Sequence, residues 1–253
     1  MFTPAEVYAK LRRMSAPALR INNLAKSYAS AAALTGLSLE IGAGEFFGLV
    51  GENGAGKTTL IKCALDFCDI SGGSIEIFGT PHRQTAARSR LAFLPERFTP
   101  PYYLSGRDFL RYTCELHRRP YDETQARAML DALELAASAL DKPVRAYSKG
   151  MTQKLGLAAC LLSEKDLYIL DEPTSGLDPK ARALLKRELK AQLAAGRTVI
   201  MTTHALYDVG EMCDRMAVIH RGELRFAGTP AEFLARYTAP DLERAYLACI
   251  ADG

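Results

Sequence analysis

The chain has 253 residues, 48% apolar and 24% charged, which supports one large folded domain, or a core with a small subdomain, and excludes a disordered chain. A formal charge of +3 is too small for the clustered basic face of a nucleic-acid binder, so no nucleic-acid partner is expected. No apolar run approaches the roughly 18 residues that a membrane span needs, and residues 1–14 lack the apolar stretch of a secretory signal.

Residues 1–18 read as an N-terminal extension. Val7, Leu11 and Met14 share one helical face, a pattern too short to define a helix. A tail is preferred over a docking helix or an upstream start with Met14 as the first residue. From Ala18 to Val50 the apolar residues alternate as in strands: Leu19, Ile21 and Leu24, then Leu37, Leu39 and Ile41. Gly36, Gly42 and Gly44 punctuate them as turns of an antiparallel sheet would. Tyr28 falls between two such strands and by itself reads as a packed aromatic.

Residues 46–50, Phe-Phe-Gly-Leu-Val, form a buried strand that runs into Gly51, Glu52, Asn53, Gly54, Ala55, Gly56, Lys57 and Thr58. This is the G-x-x-x-x-G-K-[ST] pattern of a phosphate-binding loop. A triphosphate concentrates four negative charges, and glycines let backbone N–H groups pass close enough to cradle its oxygens. Lys57 would set a positive charge against the β- and γ-phosphates, and Thr58 would offer a hydroxyl to Mg²⁺. From Thr59 the chain continues as a helix whose N-terminus faces the phosphates.

A further strand is expected in residues 72–79 between glycine turns, and another in 91–94, ended by Pro95 and followed by Glu96. Residues 105–165 read as helices. Asp122 with Gln125 resembles a capping box leading into Ala126, Met129, Leu130 and Leu133 on one face. This block, about 97–165, is a candidate subdomain, though its composition does not shift enough to mark a separate folding unit. Residues 166–172 form an apolar strand ending in Asp171 and Glu172. A hydrophobic strand that delivers an aspartate to Mg²⁺ is the second half of a P-loop site. Successive strand residues face opposite ways, so the two acids need not share a role.

Residues 198–204 read as another central strand with His204 at its C-terminal end, where ligands sit in open α/β sheets. Residues 217–219 and 224–226 flank Arg221-Gly222 as a hairpin. Thr229-Pro230-Ala231-Glu232 is a helix start with cap, proline and acid in place. Residues 241–253 close the chain as a helix or tail. Six cysteines are scattered without C-x-x-C pairs, which reads as reduced thiols rather than zinc ligands.

Between the helical block and the acidic strand lie Tyr147-Ser148-Lys149-Gly150-Met151. Together with the P-loop and the run from Leu170 through Asp171-Glu172-Pro173-Thr174-Ser175-Gly176-Leu177-Asp178, they make residues 19–235 resemble the ATP-binding-cassette family. The resemblance implies an α/β fold: a P-loop NTPase core with a mixed sheet, an antiparallel β subdomain and an inserted helical subdomain, over residues 19–240. It also implies a head-to-tail dimer of two copies with two ATP molecules at the interface, each between one copy's P-loop and the other's Ser148, Lys149 and Gly150. Ser148 opens a helix, so its hydroxyl, nearby N–H groups and the helix dipole suit a γ-phosphate. By the same resemblance Thr58 and Asp171 hold Mg²⁺, Glu172 polarises the attacking water, His204 contacts the γ-phosphate, Tyr28 stacks on adenine and Asp178 sits at the subunit boundary.

Two departures stand out. The usual Leu-Ser-Gly-Gly-Gln is Tyr147 to Met151 here, keeping Ser148 and Gly150. Lys149 either adds charge near the γ-phosphate or is a solvated lysine. The loop residue that is usually Gln is Glu96, a hard oxygen donor and a third candidate for Mg²⁺. Both changes resemble those of the bacterial exporter branch. The implied function is an ATPase subunit at the cytoplasmic face of the membrane, driving export through a separate membrane-spanning permease that docks on the helical block around residues 98–112. A soluble assembly, repair or translation ATPase of the same family is the alternative. A GTPase is disfavoured, because Asn22, Asn23 and Asn53 form no Asn-Lys-x-Asp motif.

Overall fold

The computed structural model describes residues 16–29 and 31–251. The readings made for residues 1–15 lie outside them. Leu19–Tyr28 (β1) pairs antiparallel with Ala31–Ile41 (β2). Phe46–Val50 (β3) then leaves for a second sheet, while Gly72–Ile77 (β4) and Thr80–Pro81 (β5) complete the first in the order β2-β1-β4-β5. The six apolar residues picked out by alternation face one another across the ladder: Leu19 with Ile41, Ile21 with Leu39, Leu24 with Leu37. The three-residue step from Ile21 to Leu24, opposite Leu39 to Leu37, is a bulge with Asn23 at φ 47°, and the next step, Leu24 to Lys26 opposite Leu37 to Leu34, shifts the register back with Gly36 at φ 63°.

The second sheet adds Leu91–Leu94 (β6), Leu167–Asp171 (β7), Thr198–Thr203 (β8), Arg215–His220 (β9) and Glu223–Gly228 (β10). Its order is β10-β9-β3-β8-β7-β6, parallel throughout except for the β9–β10 hairpin. β3, β7 and β8 are buried at every position, because both sheet faces are covered. Phe47, Leu49, Leu167, Ile169 and Ile200 face a core shared with the first sheet and with Lys57–Ala64 (α1). Phe46, Val50, Tyr168, Leu170, Val199 and Met201 face the remaining helices. Each fully buried Leu, Ile or Phe contributes about 1.5–3 kcal/mol, so this two-sided burial is what fixes β3 in the centre.

Thr85–Arg88 (α2) precedes β6. The helical block consists of Gly106–Leu116 (α3), Glu123–Ala132 (α4), two short 3-10 turns and Lys149–Leu162 (α5). Asp122 caps α4 by accepting the Thr124 and Gln125 N–H groups. Leu110, Ala126 and Leu130 share one continuous core with Leu155, Leu157 and the strand residue Leu170, so the block has no core of its own. Pro179–Ala194 (α6) and Leu206–Met212 (α7) follow β7 and β8, and Pro230–Tyr237 (α8) carries the expected reciprocal Thr229–Glu232 cap. Leu242–Ala251 (α9) packs onto α7 and α8 with Ala245 and Cys249 buried in the main core, so this segment is a docked helix. No helix among the described residues is long and apolar enough to cross a membrane.

Candidate nucleotide site

β3 delivers the chain into the Gly51–Thr58 loop, and α1 starts at its far end with Gly56 at φ 114°. The three glycines have different reasons. A Cβ on Gly51 would stand 2.4 Å from the Ile219 carbonyl oxygen, and one on Gly56 would stand 2.9 Å from Leu34. Gly54, at φ 86°, has nothing within 4 Å of that position: the loop opens outward there, which is where a phosphate needs room. Glu52 and Asn53 are exposed and Ala55 is buried.

Lys57 lies inside its own loop, donating to the carbonyls of Gly51 (2.5 Å) and Glu52 (3.1 Å). Burial lowers its pKa, while the charges of Glu172, Asp171, Glu96 and Glu52 oppose that shift. These acids are therefore gathered around one ammonium group. Asp171 points toward α1 because it continues the Leu167–Ile169 face of β7. Its Oδ2 lies 3.4 Å from the Thr58 hydroxyl, and its Oδ1 accepts from the Thr202 hydroxyl at 2.5 Å. Thr58 and Asp171 thus form a hard-oxygen pair that fits Mg²⁺ beside the phosphate loop. Glu96, exposed in the loop after β6, reaches the site through its charge on Lys57.

Glu172 comes one residue past β7 at φ 49°, a left-handed conformation uncommon for a residue with a side chain. The Thr202 hydroxyl holds it there by accepting the Glu172 N–H at 2.9 Å. The turn aims its carboxylate at His204: Oε2 is 3.0 Å from His204 Nδ1, and Oε1 is buried without a partner. His204 itself is 70% exposed just beyond β8. One strand end therefore supplies an acid for a cation and a second acid paired to a histidine.

Tyr28, half exposed, stands beside the start of α1. Its hydroxyl is 3.6 Å from Cys68 Sγ and the Lys26 ammonium lies 4.5 Å from its ring centre. The Cys68 thiol raises the Tyr28 pKa, and a bond with the Thr59 hydroxyl opposes it. Tyr28 thus lies beside Thr59 on the P-loop helix.

Ser148, Lys149, Gly150 and Asp178 form a second group. Ser148 caps α5, accepting the Met151 N–H at 3.2 Å, and Asp178 caps α6, accepting the Ala181 N–H at 2.9 Å. That N–H bond holds the Asp178 carboxyl below its ordinary pKa. The Lys149 stem lies over Gly176, 3.2 Å from where a Cβ would be, which joins the two caps into one patch. No hydrogen bond or ion pair between described residues connects this patch to the P-loop group. Tyr147, the departure from the usual leucine, has a structural role: its hydroxyl donates to the Ala139 carbonyl at 2.5 Å, and burial pushes its pKa up to about 12.

Two site residues escaped sequence reasoning. Thr202 bridges both acids, and the signal was a threonine in a strand, β8, that also carries Thr198 and Thr203. Gly222, in the β9–β10 turn at φ 80°, donates to the Ala55 carbonyl of the P-loop (2.9 Å) and accepts from Thr35 of β2 (3.0 Å). Nothing in the local sequence connects that turn to residue 55.

A glycine loop on a central parallel strand, a threonine–aspartate oxygen pair and a glutamate–histidine pair at neighbouring strand ends define a P-loop nucleotide-binding protein. The family model described as ABC transporter matches residues 34–175. An uncharacterized ABC transporter ATP-binding protein of Synechocystis sp. is 40% identical over 201 residues, covering 78% of this chain and 57% of that protein. A Nod factor export ATP-binding protein I of Sinorhizobium fredii is 36% identical over 241 residues, covering 93% of this chain and 69% of that protein. A solved ATP-binding subunit of an ABC transporter superposes with a TM-score of 0.84 at 27% identity, covering 91% of this chain and 98% of that one. The chain belongs to the ABC transporter family of ATP-binding proteins. It spans 57% and 61% of the length of two cyanobacterial relatives.

Proposed function

We propose that this chain is the ATP-hydrolysing subunit of an ABC transporter and that two copies close head to tail around two ATP molecules. Glu172 carries the reading. One of its oxygens is fixed on His204, and the other is buried, unpartnered and next to the Lys57–Asp171 group. That is the arrangement of a general base held ready for a water: a carboxylate oriented through one oxygen with the other left to accept a proton. Lys57, the loop N–H groups and the N-terminus of α1 bind and orient the phosphates, and Tyr28 stacks on the base. Mg²⁺, held by Thr58 and Asp171 with Glu96 as a third candidate, would neutralise charge on the phosphate oxygens. Ser148, Lys149, Gly150 and Asp178 serve the partner copy's ATP, which accounts for a phosphate-suited helix start standing apart from the chain's own P-loop.

The subunit would act peripherally at the cytoplasmic face of the membrane, driving a separate membrane-spanning permease. The exposed Tyr102, Tyr103 and Tyr112 of the helical block suit a docking surface. Export is favoured by the relative named for Nod factor export and by the Glu96 and Tyr147–Met151 departures. Light scattering with ATP tests the mechanism. Glu172→Gln should accumulate as an ATP-loaded dimer with hydrolysis lost, and Lys57→Ala should lose both binding and hydrolysis. A Glu172→Gln chain that holds ATP as a monomer would sink the proposal.

A further inference from the structure

The geometry points to Cys63 and Cys68 as an oxidisable dithiol whose closure to a disulfide loosens the nucleotide site through Tyr28. This rests on the reading of Tyr28 as the base-stacking residue. The two sulfurs are 3.6 Å apart, although a spacing of five residues in a helix would not bring them together. The end of α1 does. Phe67 N–H donates to the Lys62 carbonyl (2.8 Å) and Asp66 N–H to the Cys63 carbonyl (3.1 Å), with Asp66 at φ 60°. This left-handed cap folds the chain back so that residue 68 lies over residue 63. Arg88 grips the Asp66 carboxylate at 2.9 Å and holds the turn.

Cys68 in turn touches the Tyr28 hydroxyl at 3.6 Å, so the three groups form a row from the helix interior to the mouth of the site. The segment after Cys68 is tied to β1 by Ser71 N–H on the Ala25 carbonyl and by Lys26 on the Asp69 carbonyl (2.8 and 2.7 Å). That same Lys26 ammonium covers the Tyr28 ring. A disulfide bond is about 2.05 Å long, so the sulfurs must close by about 1.5 Å. Cys63 is fully buried in α1, and Cys68 is the one with room to move. Its movement takes it off Tyr28.

The chemistry balances with a peroxide as oxidant. The partly exposed Cys68 thiolate attacks one oxygen of hydrogen peroxide, forming a sulfenic acid and releasing hydroxide. Burial raises the Cys63 pKa, so the more exposed Cys68 is the one that meets peroxide first. Cys63 sulfur then attacks Cys68 sulfur, its proton leaving with the sulfenic hydroxyl as water. Two thiols and one peroxide give one disulfide and two waters, with two electrons passing from sulfur to oxygen.

The test treats the full chain with hydrogen peroxide, maps disulfides by alkylation and peptide mass spectrometry, and titrates a fluorescent ATP analogue. A Cys63–Cys68 link is expected, with affinity reduced about three- to tenfold, the scale of one aromatic contact, and restored by dithiothreitol. Cys63→Ala should bind as the reduced protein does and keep that affinity in peroxide. Absence of the link, or a linked chain that binds as tightly as the reduced one, overturns the inference. Tyr28→Ala separates the two readings: unchanged affinity there refutes the role of Tyr28 and the coupling with it, while the peptide map judges the dithiol independently.

Discussion

Thr202 shows how one hydroxyl can assign two roles to adjacent acids. It donates to Asp171 and accepts from the Glu172 backbone, so it holds Asp171 facing Thr58 and fixes the left-handed turn that aims Glu172 at His204. Its environment is fully buried, which makes an unmade bond expensive. Thr202→Val keeps the shape and removes both bonds. It should cost about 1–3 kcal/mol in urea unfolding, the price of leaving a buried polar group unpaired. Steady-state hydrolysis should fall while Thr202→Ser keeps most of it. Loss of stability with hydrolysis untouched would mean that Thr202 serves the fold alone. Glu172 and Asp171 were both legible as candidates from the motif, but strand alternation left their division of labour open.

At the scale of elements, the P-loop is shaped from outside as well as by its own glycines. The β9–β10 hairpin runs beneath it: Gly51 sits against the Ile219 carbonyl, Gly222 bonds Ala55, and β2 closes the other side through Thr35. A Cβ on Gly222 would stand 2.6 Å from the Ala33 carbonyl oxygen at a backbone angle that side chains rarely adopt. Gly222→Val is therefore expected to lose about 1–3 kcal/mol of stability and to weaken ATP binding. Calorimetric titration of ATP beside a thermal melt checks it; unchanged affinity would show that the hairpin does not shape the loop. The hairpin itself was readable from Arg221-Gly222. Its position under residue 55 was not, because β9 reaches β3 only through the sheet order.

For the whole molecule, the decisive feature is that no hydrogen bond or ion pair between described residues joins the P-loop group to the Ser148–Asp178 patch. If each ATP needs one group from each copy, two defective chains can repair one another. A Lys57→Ala chain and a Ser148→Glu chain should each be inactive alone. Mixed in equal amounts they form a dimer in which the Ser148→Glu chain's P-loop meets the other chain's intact Ser148, so about a quarter of wild-type hydrolysis should return, counting one good site of two in half of the dimers. Failure of the mixture to recover would place both groups' work within a single chain.

The motifs that are contiguous in the chain were determined by the sequence itself, because a loop's ability to cradle phosphate depends on the local freedom of Gly51, Gly54 and Gly56, and a helix cap on the residue just before it. The paired strands were legible for the same reason: burial on one face imposes a period of two, as Leu19, Ile21, Leu37 and Leu39 display. Tertiary structure alone decided what lies between distant segments. β7 pairs with β8, which sets His204 beside Glu172; β3 pairs with β9, which sets Gly222 beneath Ala55; and the chain after α1 returns to β1, which brings Cys68 to Tyr28. Those are distances across a packed core, fixed by which buried faces meet, and no local pattern of residues encodes them.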